Sequence, residues 1–192
     1  MAVLSFLLIG SSSAALADAK RDCEKLSGDA AIQACDQAIR QNPRDAEAYN
    51  NRGFKHYDKG DLDRALADFD KAIEINPRDA HAYNSRCLLR ATANRDLPLA
   101  LLDCDDAIRL APNSLVNLHT RGFVYLRLDR LDEAIADYDA ALKLNPRMAA
   151  SLYGRGIAKQ KKGDQAGGDA DIAAAKAIKA TIADGFAKYG VN

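Results

Sequence analysis

AEAYNNRGFKHYDKGDLDRALADFDKAIEINPRD, residues 46–79, decides the fold, because the chain repeats it. Its NRGF at 51–54 returns as SRCL at 85–88, TRGF at 120–123 and GRGI at 154–157. Pro43, Pro77, Pro112 and Pro146 are spaced by 34, 35 and 34 residues. Five residues before each proline stands an alanine (Ala38, Ala72, Ala107, Ala141), and seven residues earlier another (Ala31, Ala65, Ala100, Ala134). Tyr49, Tyr83 and Leu118 stand four residues before Gly53, Cys87 and Gly122. A fixed period of this length marks an array of small repeated units.

The residues explain how one unit folds. Tyr49, Gly53 and His56 share one face at helical spacing, and Ala65, Phe69 and Ala72 share another. Small residues let two helix backbones approach, aromatics fill the space between neighbours, and proline ends the second helix because it lacks a donor and clashes with the preceding turn. One such hairpin cannot bury its apolar face alone, so stability comes from stacking.

This period and pattern resemble the tetratricopeptide repeat. The resemblance implies an all-α fold, a right-handed α-solenoid of stacked antiparallel helix hairpins. Full units are expected at 46–79, 80–114, 115–148 and 149–182, preceded by a partial unit at 18–45 that lacks most of its first helix. Ile182, Phe186 and Tyr189 supply apolar surface for a capping helix, with 183–192 as its end and tail. The unit at 80–114 carries an extra residue around Arg95–Leu99, where Pro98 can open the second helix. Gly168 in the slot of Ala65, and Ala180 in that of Pro77, predict a looser second helix in the last unit.

Residues 1–17, MAVLSFLLIGSSSAALA, read as a secretory signal peptide: a short apolar core, small residues, and Ala15-Leu16-Ala17 as an A-x-A cleavage pattern. No Lys or Arg precedes the core, and a buried or frayed N-terminal helix is the other reading. Cleavage after Ala17 would start the mature chain at Asp18, in the periplasm or outside the cell. No later apolar run approaches the roughly 20 residues that cross a bilayer. Lys plus Arg and Asp plus Glu number 27 each, so no net field gathers nucleic acid or an anionic membrane.

The charges are themselves periodic. Arg52, Arg86, Arg121 and Arg155 share one slot of the first helix, and Asp68, Asp103, Asp137 and Asp171 share one slot of the second. A ladder of partly buried arginine–carboxylate pairs is expected, in preference to an anion site. No phosphate-binding loop, GxSxG elbow or HExxH pattern is present. His56 takes a packing slot, and His81 and His119 lack a third ligand for zinc. The reading is therefore no enzyme, no metal and no cofactor.

The resemblance implies a concave groove, lined by the first helices, that takes an extended peptide or a partner helix. Its expected lining is Asn50, Phe54, Tyr57, Asn84, Leu88, His119, Phe123, Leu126, Tyr153 and Ile157. Amides would serve a peptide backbone and the apolar stripe its side chains; alternatively the stripe packs first helices together. Some relatives clamp a C-terminal carboxylate, but Asn50, Phe54, Ser85, Val116 and Thr120 occupy those slots and cannot build such a clamp. The rival reading is self-association through unsaturated ends of the stack. Cys87 replaces the glycine of its unit and Cys104 the aromatic, so a Cys87–Cys104 disulfide is expected. Cys23 and Cys35 flank the turn at Ser27-Gly28 as a second pair. The alternative is buried thiols acting as small apolar groups. Bridges fit an oxidising compartment.

Overall fold

A computed structural model describes residues 9–191. Among them the chain forms eleven helices and no strand, the all-α solenoid class of stacked hairpins. It divides into two compact units, Met1–Arg78 and Asp79–Asn192. The expected signal sequence lies partly outside the described residues.

The first unit contains α1 (Ile9–Lys25), α2 (Gly28–Gln41), α3 (Ala46–Asp58) and α4 (Leu62–Ile75), in which α1 pairs with α2, α2 with α3, and α3 with α4. α1 runs unbroken through Ala15-Leu16-Ala17, and only its last part, 18–25, falls within the expected partial unit. From residue 15 onward, the buried side chains of α1 are Ala19 and Cys23. The second unit contains α5 (Ala80–Thr92), α6 (Leu97–Leu110), α7 (Leu115–Arg127), α8 (Leu131–Leu144), α9 (Ala149–Lys161), α10 (Gln165–Ile178) and the short α11 (Ile182–Ala187). Consecutive helices from α5 to α11 pack on one another, α5 also meets α7, and α9 meets both α7 and α11.

Local chemistry sets the helix ends. The side chains of Asp45, Asp61, Asp79, Ser114 and Asp164 accept backbone N–H bonds in the first turn of α3, α4, α5, α7 and α10. At the Asn-Pro turns Asn42, Asn76 and Asn145 accept from the N–H two residues on, at 3.2, 3.2 and 3.0 Å, an Asx turn that proline makes final. The inner turns need left-handed backbone, supplied by Gly60, Gly163 and Asp129 in their hairpins. The longer α5–α6 turn takes two such residues, Asn94 and Asp96, before Leu97 and Pro98 start α6.

Inside each hairpin the two helices nearly touch. A Cβ on Gly53 would stand 2.6 Å from the Phe69 ring, and Tyr138 is flanked by Gly122 of α7 and Gly154 of α9 in the same way. The expectation of a loose last hairpin fails here. Gly156 and Gly168 face each other, each with the other's carbonyl oxygen under 3 Å from where its Cβ would lie. The α9 and α10 backbones are thus in direct contact, and α10 stops at Ile178 even though Ala180 stands in the proline slot.

Alanine normally raises helix stability over glycine by up to about 1 kcal/mol. At Gly156 it meets backbone that cannot yield, so Gly156→Ala is expected to lower unfolding free energy by about 1–3 kcal/mol net. Gly185→Ala, in α11 with nothing within 4 Å, is expected to be neutral or stabilising. Urea denaturation of both variants checks the contrast.

Candidate interaction surface

The arginine ladder is built more tightly than a set of pairs. Arg52 donates Nε and Nη2 to Asp68 at 2.9 and 2.7 Å, while its Nη1 reaches Asp36 of the preceding hairpin at 2.7 Å. Arg121 does the same with Asp137 and Asp105, and Arg155 with Asp171 and Asp139. Arg86 holds Asp103 through Nε and Nη2, and Arg90 adds a second guanidinium on that carboxylate. The bond to Asp68 raises the Arg52 guanidinium above its ordinary value against the opposing effect of burial. Each fork is spent on its own carboxylates, which leaves no vacancy for an anion. Asp36, Asp105 and Asp139 were not anticipated; their signal was their place sixteen residues before each arginine.

Beside this ladder, a cavity of about 300 Å³ in the first unit is lined by Ile32, Asp36, Arg52, His56 and Arg64 among others. Its charges compensate one another: Arg52 is held by Asp36 and Asp68, and Arg64 by Asp61. Among the described residues no three His, Cys, Asp or Glu side chains are placed to hold a metal ion, and no helix is long and apolar enough to cross a membrane.

The expected groove residues divide by environment. In the first unit Phe54 is half-buried with its ring edge-on to Phe69 at 5.3 Å, and Tyr57 is likewise half-buried on the next turn. Asn50 is 2% exposed and Asn84, in the second unit, 5%, so both amides sit inside the packing and not on the open surface expected of them. Leu88 remains half-buried.

In the second unit Phe123, Leu126, Tyr153 and Ile157 do come together on α7 and α9, but they are buried at 8% exposure or less. The C-terminal segment covers them. Phe186 of α11 packs on Tyr153 at 4.8 Å and edge-on to Phe123 at 5.9 Å; Tyr189 meets Phe123 edge-on at 6.0 Å. Arg127 lies over the Phe123 ring and donates Nη1 to the carbonyl of Tyr189. Ile182, Phe186 and Tyr189 were expected to cap the last hairpin. They do, and two of them also reach a whole hairpin further back.

His119 points between α7 and α9, with Nδ1 3.1 Å from Ser151 Oγ and the ring tilted against Tyr138 at 5.7 Å. Burial pushes it down to about 4, so the imidazole is neutral at neutral pH.

Both cysteine pairs stand at disulfide distance. Cys23 on α1 faces Cys35 on α2, and Cys87 on α5 faces Cys104 on α6 in the slots of glycine and aromatic. All four residues are at most 1% exposed.

Hairpins with an alanine–glycine seam, one arginine slot and a first-helix apolar stripe define a helical-repeat scaffold. Residues 46–79 match the family model described as Tetratricopeptide repeat, and residues 122–163 match one described as TPR repeat. The chain is a tetratricopeptide-repeat protein. No curated protein sequence matches it significantly. Among solved structures it is similar to MamA (residues 41 to the end) from Desulfovibrio magneticus RS-1, with 18% identity over 88% of this chain and 96% of that one, TM-score 0.74. It is also similar to YrrB, described as a TPR protein with an unusual peptide-binding site (19% identity, 94% and 90% covered, TM-score 0.65). A third is the first TPR of Spaghetti (RPAP3) bound to the HSP90 peptide SRMEEVD (22%, 62% and 93%, TM-score 0.59). At these identities the likeness concerns the fold.

His119 titrates near 4 when folded and near 6.5 when unfolded, so below pH 6.5 the unfolded chain binds the extra proton. Stability should therefore fall as pH drops from 6.5 towards 4, by at most about 1.4 kcal/mol per pH unit from this residue. Part of that is screened, because the side chain is not fully enclosed. His119→Gln is expected to show a shallower loss between pH 6.5 and 5 in urea denaturation.

Proposed function

We propose that this protein is a non-enzymatic scaffold that binds a peptide or helix of a partner protein on the first-helix face of its repeats. One observation carries the reading. In the second unit the apolar stripe of α7 and α9 already holds a short segment bearing two aromatic rings, Phe186 of the chain's own α11 and Tyr189 of the turn that follows it. A surface that accepts one such segment has the shape and chemistry for another. The peptide-binding descriptions of YrrB and of the RPAP3 domain agree with it. Self-association through open ends is less favoured, since Ile182 and Phe186 are buried in the core that includes Ile157 and Ala175.

The half-buried Phe54 and Tyr57 offer the corresponding stripe in the first unit. The mature chain and its Phe54→Ala/Tyr57→Ala variant should capture different partner sets from the native envelope fraction, read by mass spectrometry. Identical sets would remove this face from the account.

Export to an oxidising compartment is part of the same proposal. Cleavage after Ala17 would spare Ala19 and Cys23, the buried anchors of α1, and a Cys23–Cys35 bridge would hold the remaining two turns on α2. Lys55 would steady them further, donating to the carbonyls of Glu24 and Leu26. Bridges closing loops this short typically contribute about 3 kcal/mol each. Thiol titration of the denatured, unreduced protein from its native compartment should find no free thiol; four would sink the idea.

A further inference from the structure

The segment Ile182–Val191 is folded onto the core of the second unit. Past α11 the chain closes in a left-handed turn at Gly190, where Val191 N–H donates to Phe186 O at 3.2 Å and Gly190 N–H to Ala187 O at 3.0 Å. This pair of bonds is a Schellman closure, and Val191 and Phe186, its two ends, are both buried. The result is a self-capped segment in which Phe186 of α11 and Tyr189 of its closing turn, three residues apart, both meet Phe123. Arg127 fastens it by a bond to the Tyr189 carbonyl.

The stripe beneath belongs to the core of the second unit. Phe123 and Tyr153 project from successive first helices, and their contact with each other's surroundings runs through Phe186, which touches both. A cavity of about 140 Å³ remains beside the end of the segment, lined by Leu126, Arg127, Lys161, Gly190 and Val191. The segment follows α10 and belongs to no hairpin of the stack.

We infer that residues 182–191 are a resident occupant of the α7–α9 face, and that the partner is a short helical segment with aromatic residues at positions i and i+3, which binds by displacing it. The inference rests on the proposed function above and adds the class of ligand and its regulation. A tethered occupant competes at the high effective concentration set by its short linker, so partner binding is held weak until the ligand is abundant or multivalent.

The test uses the full mature chain and a fluorescent synthetic peptide of residues 180–192, read by polarisation. Wild-type protein should bind the peptide weakly, and Phe186→Ala/Tyr189→Ala protein at least about tenfold more tightly, because its own segment no longer competes. A peptide carrying the same two alanines should bind neither. Gly190→Val loosens the Schellman closure without deleting an apolar contact; if the double variant loses its helical circular dichroism, this one decides, with several-fold tighter peptide binding expected. Equal affinity of wild type and a folded variant would overturn the inference while leaving binding on the first unit's face untouched. So would a concentration-dependent wild-type dimer that the double variant loses, since that would seat the segment of one copy on the next.

Discussion

Two helices of a hairpin can lie with their axes close only where one of them gives up a side chain. Gly53 does so for the ring of Phe69 and Gly122 for the ring of Tyr138, which Gly154 of the next hairpin admits from its other side. The aromatic then fills a space that backbone atoms bound, and it is among the most completely buried groups of its unit. Where the last hairpin lacks the aromatic it brings glycine against glycine, and the approach becomes backbone on backbone. Where the α5–α6 hairpin lacks both partners, Cys87 and Cys104 stand in the two slots at disulfide distance. Three different chemistries satisfy one distance constraint, which shows that the constraint is the repeat's and the residues are its solutions.

That close approach also fixes the electrostatics. With the helices held face to face, an arginine on the first reaches an aspartate on the second and another on the preceding hairpin. A buried carboxylate such as Asp137, 6% exposed, is tolerable because a guanidinium fork meets both of its oxygens. The arginines are occupied with register between neighbouring hairpins.

Much of this was legible because a repeat writes the same rule several times. The positions of Gly53, Phe69, Arg52 and Asp68 recur at a fixed spacing, so chance agreement at one unit is tested by the next. The amides of Asn50 and Asn84 misled for the same reason: a periodic polar residue looks like a periodic ligand contact, yet both lie inside the packing. A residue's slot reports its helix face to within a turn, not whether the neighbouring hairpin closes over it. The Gly168 slot misled differently, since a missing methyl suggests looseness until its partner Gly156 is known to be missing one as well.

The sequence by itself determined the repeat, its hairpins, the arginine and aspartate slots and the pairing of the four cysteines, because each depends on residues within one period of each other. Tertiary structure decided what covers the stripe of Phe123, Leu126, Tyr153 and Ile157. The contact from Arg127 to Tyr189 spans 62 residues and obeys no repeat. It arises because the chain continues past its last hairpin with apolar groups that must be buried somewhere, and the nearest unfilled apolar surface is the face that the repeat had left open.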